Sequence, residues 1–261
     1  MIAALILSIL SLYPWNLNAG GYFTHGRDSE EKRIQLATAT VGVDRLNRDA
    51  VTLAYERRHV EREGDMKLEH DYYAVRGYSW WDDRFRTGIT GGYLDMELET
   101  WYVACVAEGE LPEFGYGAHA IFARGGTDVA GTPDLYKLSL QLSRSFGPHL
   151  TWIGCRVEWE ESKNRGMASF GVISEISRTV TVRFSHWFGE SRFFIDPHAM
   201  TMDNTPSLIT RKTTAQADVR FLTNWYLILK LSRMDQEPWG RWGREWEIQT
   251  VYYTVGLMLR L

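Results

Sequence analysis

The sequence predicts an all-β protein: a single antiparallel up-and-down transmembrane β-barrel of about 12 strands, within roughly 10–14. Three observations predict it. The chain closes on an amphipathic strand, in which Val251, Tyr253, Val255, Leu257, Leu259 and Leu261 share one face. Thr250, Tyr252, Thr254, Gly256, Met258 and Arg260 take the other, because strand side chains alternate. A final strand with that pattern is what a barrel needs to pair with its first strand and leave no edge in lipid. Second, from about residue 31 the chain runs in strand-length segments punctuated by turn residues, with no helical period. Third, aromatic residues make up 13% of the chain, with 11 Trp and 13 Tyr, enough for girdles at two membrane interfaces.

The N-terminal residues read as an export leader. Ala3 to Leu12 form a short apolar run, and Leu17-Asn18-Ala19 is an acceptable small-residue cleavage site, although no cation precedes the run. The run is too short to cross a bilayer as a helix. The expected division is a signal peptide over 1–19 and one barrel domain over 20–261, with no linker, repeat or low-complexity tract inside it.

Strands are predicted near 33–43, 50–60, 66–76, 84–94, 100–108 and 114–124. The segment Phe114-Gly-Tyr-Gly-Ala-His-Ala-Ile-Phe122 carries the small residues that a crowded barrel wall tolerates. The clearest alternation follows at 136–146, where Tyr136, Leu138, Leu140 and Leu142 oppose Lys137, Ser139, Gln141 and Ser143. After the Gly147-Pro148 turn, Ile153, Cys155, Val157 and Trp159 oppose Trp152, Gly154, Arg156 and Glu158. Further strands are predicted at 167–177, at 180–188 with Arg183 on the polar face, and at 212–221 with Lys212, Gln216, Asp218 and Arg220 polar. The strand at 225–232 places Lys230 on its polar face. Connections sort into short turns (146–149, 177–179, 222–224) and longer polar links (124–134, 189–206, 235–244), the asymmetry of an outer-membrane barrel.

Period alone does not say which face meets which solvent. A soluble sandwich would bury the apolar face; a membrane barrel would turn it to lipid and its polar face to a lumen. On the barrel reading the lumen receives Arg156, Glu158, Arg183, Lys212, Asp218, Arg220, Lys230 and Arg260. Such mixed charges pair with one another or line a small polar pore. Arg outnumbers Lys 23 to 6, which suits paired positions in a lumen. A net charge of −4 without a basic block excludes an obvious nucleic-acid binder.

Motifs for catalysis are sparse. Asp82-Asp83 and the Asp196-Pro-His198 spacing are similar to the acidic pair and Asp/His pair of omptin-type surface proteases, where a His base and carboxylates activate water. Solvated turn residues are the plainer account. Ser185 and His186 are adjacent, so they point to opposite faces and cannot form a nucleophile–base pair. No Cys/His/Asp group has metal-ligand spacing, and no cofactor is expected. Cys105 and Cys155 read as small packing residues; sequence leaves open whether they pair. The segment 235–244 holds Trp239, Arg241, Trp242 and Arg244, which could grip a sugar or lipopolysaccharide phosphates, or else form an interfacial belt.

The final strand resembles the C-terminal assembly signal of bacterial outer-membrane proteins, although those usually end in Phe. The stretch Thr179-Val-Thr-Val-Arg-Phe-Ser-His-Trp-Phe-Gly189, continuing to residue 213, and the strand 251–261 also resemble the barrel of YaiO-type outer-membrane proteins. The resemblance implies an outer-membrane location, outer-membrane lipid and lipopolysaccharide as surroundings, and the barrel-assembly machinery as a partner of the last strand. It brings no catalytic residues. The expected function is a non-enzymatic envelope barrel acting as a narrow channel or as a surface or assembly protein. The alternatives are a barrel hydrolase with an Asp/His site at its rim, and a soluble periplasmic binder.

Overall fold

A computed structural model of the chain describes residues 16–29, 32–45, 49–62, 66–95, 100–111, 113–124, 134–160, 163–196, 200–238 and 248–261. They form 14 antiparallel strands: β1 (Asn16–Asp28), β2 (Arg33–Arg45), β3 (Asp49–Arg62), β4 (Met66–Trp80), β5 (Phe85–Asp95), β6 (Thr100–Glu110) and β7 (Gly115–Arg124). The second half comprises β8 (Asp134–Phe146), β9 (His149–Glu160), β10 (Lys163–Ser177), β11 (Val180–Asp196), β12 (Thr201–Arg220), β13 (Trp225–Pro238) and β14 (Ile248–Arg260). Each strand pairs with its sequence neighbours, and β1 pairs with β14 to close the ring. The seam runs from Asn18 opposite Arg260 to Asp28 opposite Thr250. It is locked at its end by Leu17 and Leu261, which exchange two backbone hydrogen bonds of 3.0 and 2.8 Å.

Burial decides the question that periodicity left open. Leu138, Leu140 and Leu142 on β8 are 40, 50 and 54% exposed, whereas Lys137 on the same strand is 2% exposed and Glu158 on β9 is 1%. The leucines therefore point out of the ring and the charges point in. The same inversion holds for Leu53, Val75, Ile89, Val103, Ile153 and Leu229, all exposed. So wide an apolar exterior belongs against hydrocarbon, not water. No described helix is long and apolar enough to cross a membrane; the crossing elements are strands.

Outward aromatic residues gather at both ends of the apolar band. Toward one end Tyr55 stacks near Tyr73 (centroids 5.4 Å apart), and Phe122 sits between Trp101 and Tyr136 at 5.3 and 5.0 Å. Toward the other, Phe114, Phe146, Phe221 and Trp225 are exposed. We call the end where β1 starts and β14 finishes the base, and the opposite end the rim. The described turns at 81–84, 147–148, 178–179 and 221–224 all lie at the base. Inward aromatics pack on directly opposed glycines: a Cβ at Gly92 would strike the Tyr102 ring, and one at Gly256 the Tyr22 ring. Glycine at these positions lets large rings lie flat along the inner wall.

The structure differs from the sequence reading in strand count and in the segment 189–206. The strand count is 14 rather than about 12, within the expected range; β1 is the strand without a clear sequence signal. Its inward face alternates Gly20, Tyr22, Thr24 and Gly26, and its outward face mixes Ala19, Gly21, Phe23 and His25, so hydropathy hardly alternates. Residues 16–19 lie in that strand, where Asn16 and Asn18 donate to Asp44 at 2.9 and 3.2 Å. The segment 189–206, read as a polar link, is a correction: most of it extends β11 and β12 as a paired hairpin.

Candidate functional site

The lumen holds the polar chemistry of the molecule. A ring of 14 strands, spaced ~4.8 Å and tilted by about 40°, has a backbone diameter of roughly 28 Å. That is wide enough for a water-filled interior. Arg156, Glu158, Arg183, Lys212, Asp218, Arg220, Lys230 and Arg260 all lie on inward faces by the register of their strands. They divide into two groups. Arg183, Lys212, Arg220, Lys230 and Arg260 keep part of their surface open, and Arg183 contacts Asp218 at 3.0 Å. Arg156, Glu158 and Asp218 are buried.

Toward the base, charged side chains line facing walls. On one side Arg86 lies over Tyr78 and Trp80 at 4.7 and 5.1 Å and donates to Glu108 at 2.6 Å. His119, buried on β7, approaches the same Glu108 at 3.4 Å. Seven strands round the ring, Asp218 takes Arg183 and a 2.7 Å hydrogen bond from Gln216. Arg260 lies over Tyr226 at 4.7 Å. These pairs hold both charge signs along the inner wall, each arginine flattened on a ring or a carboxylate.

Toward the rim the lumen is filled. Glu158 receives Lys137 at 2.7 Å and Arg165 at 3.2 Å, and Arg165 also reaches Glu160 at 2.6 Å. Arg156 donates to Ser139 at 2.8 Å and covers the Trp187 ring at 4.8 Å. Isolated charges at this depth would be costly, so each carboxylate gathers several donors.

Two of the partners of Glu158 come from an element that has left the wall. The pairing of β10 with β11 stops at Met167 opposite Gly189; beyond it, β11 pairs only with β12, from Ser191 opposite Ile209 to Asp196 opposite Thr201. Gly189 has φ +117°, and a Cβ there would collide with the Gly166 carbonyl, so the bend requires glycine. Past the bend, the Ser191 hydroxyl donates to Glu158 at 2.8 Å and accepts from Lys137 Nζ at 2.9 Å. The Arg192 backbone N–H donates to Glu158 at 3.0 Å, and its guanidinium pairs with Glu160.

Further along, Ile195 (0% exposed) and Met200 (4%) join a buried cluster. Its other members, among them Tyr72, Leu94, Tyr102, Ile121 and Leu135, line the inner wall of β3–β8. Lys137, Ser139, Glu160, Arg165, Ser191 and Arg192 were missed at the sequence level. Lys137 and Ser139 were visible as polar positions of an alternating strand; nothing local marks which partner they meet.

No family model and no curated protein matches the chain. Solved structures do. The chain is similar to the CymD monoaromatic hydrocarbon channel, with a TM-score of 0.59 and 7% identity over 95% of this chain and 89% of that one. It is similar to a bacterial polysaccharide outer membrane secretin, at 0.56 and 12% over 95 and 98%. It also matches the Pseudomonas putida toluene transporter TodX, at 0.53 and 9% over 99 and 93%. The fold is that of bacterial outer-membrane channels. At such identities the likeness is one of fold.

The hydrolase candidates do not assemble. Asp82 and Asp83 lie in the exposed 81–84 turn at the base, where Asp82 caps the backbone N–H groups of Arg84 and Phe85 at 2.7 Å each. Asp196 ends β11 toward the rim, so the expected acidic pair sits at the opposite end of the barrel from it. His198, Trp239, Arg241, Trp242 and Arg244 lie outside the described residues. His186 faces outward and meets Thr213 at 2.8 Å, and Ser185 faces inward. Cys105 on β6 and Cys155 on β9 are exposed, free and separated by two strands. Among the described residues no group of three or more His, Cys, Asp or Glu is placed to hold a metal.

Proposed function

We propose that this protein is a non-enzymatic channel of the bacterial outer membrane. The observation that carries the reading is the inversion of burial within a closed ring, with leucines such as Leu140 outside and paired charges such as Glu158 inside. A soluble binder would hide the leucines, and a rim hydrolase would need at the rim the acidic pair Asp82-Asp83, which lies in a turn at the base. On this reading the base, with its short turns, faces the periplasm and the rim faces outside the cell. The part-open inward residues Arg183, Lys212, Arg220, Lys230 and Arg260 would then line the path.

The outward aromatic ring toward the rim suits contact with lipopolysaccharide, and β14 is the element for the assembly machinery to read. Membership among YaiO-type barrels is a narrower form of this proposal. It is supported by the strand lengths and aromatic spacing of 179–213 and 251–261. Planar-bilayer recording on refolded protein, after its heat-modifiable gel shift is verified, tests the channel. Discrete current steps from wild type, or from a variant with the lumen cleared, support it. Silence from both sinks it.

A further inference from the structure

We propose that the rim-side hairpin formed by the ends of β11 and β12 is an internal plug, which must leave the lumen before solute passes. The inference rests on the channel reading above. Its ground is that Ser191, Arg192, Ile195 and Met200 are all buried, and that Ser191 and Arg192 are bonded to β8 and β9, which a hairpin standing up from the rim could not reach. Ile195 belongs to one buried cluster with residues of β3 to β8, none of which neighbours β11 in the ring. From Gly189 to Ile195 an extended chain spans roughly 20 Å, most of the lumen width.

Each part of the hairpin has a counterpart on the wall. At its root, the glycine bend at 189 turns β11 away from β10. One step on, Ser191 and Arg192 are tied by hydroxyl, backbone N–H and guanidinium to Lys137, Glu158 and Glu160 of β8 and β9. At the tip, Met200 has φ 52°, an uncommon backbone for a side chain of this kind, and its side chain is 4% exposed in the apolar cluster. Tyr72, Leu94, Tyr102 and Leu135 supply an apolar seat on inner walls where a water-filled pore would carry polar groups. The seat makes sense only with an apolar tip in it.

The lock is ionic and hydrogen-bonded rather than covalent, and it involves a bent hairpin rather than the wall ladder. Release would break side-chain contacts, leaving the β12–β13 pairing and the ring intact. The wall is the pore and the hairpin its stopper.

Two measurements test this. The first replaces residues 193–206 by Asn-Gly and compares single-channel current with wild type after both show the heat-modifiable shift. The shortened protein should conduct roughly fivefold more or greater, since current follows the open cross-section. Equal current from both proteins overturns the plug while leaving the channel standing. No current from the shortened, folded barrel overturns the plug, and silence from wild type as well overturns the channel. The second needs neither conduction nor truncation: Ile195→Cys is made in a Cys105→Ser/Cys155→Ser background and treated with a water-soluble maleimide. It should react at least about tenfold more slowly than Trp81→Cys in an exposed turn, because a buried thiol is shielded. Equal rates would put Ile195 outside the lumen and overturn the proposal.

Discussion

Glu158 of β9 accepts a hydrogen bond from the backbone N–H of Arg192 at 3.0 Å, although β10 lies between their strands. In an unbroken sheet a backbone amide bonds its immediate neighbour. This one reaches past it because β11 has left the wall, and an inward carboxylate takes the place of the missing strand carbonyl. The contact joins the barrel wall to the element that fills its lumen.

Removing that carboxylate should be costly. Glu158→Gln leaves Lys137 buried without its counter-charge, and breaking a buried pair by one partner typically costs about 3–5 kcal/mol. The double variant Lys137→Met/Glu158→Leu should lose clearly less. Urea unfolding in lipid vesicles measures both, and a double variant as unstable as the single would show that the pair is not coupled.

The bend can be tested by itself. Gly189→Ala forces a side chain onto a left-handed backbone and into the Gly166 carbonyl. A loss of about 1–3 kcal/mol is expected, together with faster proteolysis of the hairpin. A neutral substitution would mean that the bend is not needed in the folded protein.

The assignment of faces predicts opposite outcomes for neighbours on β8. Leu140→Arg places a cation against lipid and should cost about 2–4 kcal/mol near the bilayer midplane. Gln141→Arg, one residue on and facing the lumen, should fold almost as well as wild type. Folding yields into vesicles compare the two directly, and reversed yields would reverse the faces.

Ion selectivity reports on the part-open lumen charges. In the protein with the shortened hairpin, Arg183→Gln and Arg220→Gln should each move the reversal potential toward cation preference. An unchanged potential would remove these residues from the conduction path.

The two cysteines should stay apart. Cys105 and Cys155 lie three strands from each other, roughly 14 Å at ~4.8 Å per strand, beyond the ~7 Å limit for a disulfide. Gel mobility without reductant should equal mobility with it.

Much of the architecture was legible in the residues themselves. The alternation at 136–146, 151–159 and 250–261 located those strands and divided their faces, because the period of two is a property of the extended backbone. It placed Arg156, Glu158, Arg183 and Asp218 together on polar faces without any knowledge of partners. The strand β1 escaped, since glycine on both its faces erases the hydropathy signal that alternation depends on. The 189–206 segment escaped for a different reason: it pairs and bends through contacts with strands far away in sequence.

The sequence by itself determined most of the strands, their two faces and the polar character of one of them, because these follow from local backbone geometry and side-chain order. Only the tertiary structure decided that the ring closes at 14 strands with leucines outward, and that Lys137, Glu158, Ser191 and Arg192 meet. Those four come from β8, β9 and β11, and their meeting depends on register and on a bend at Gly189. No local pattern encodes either, since both are set by how many strands share the circle and where one of them leaves it.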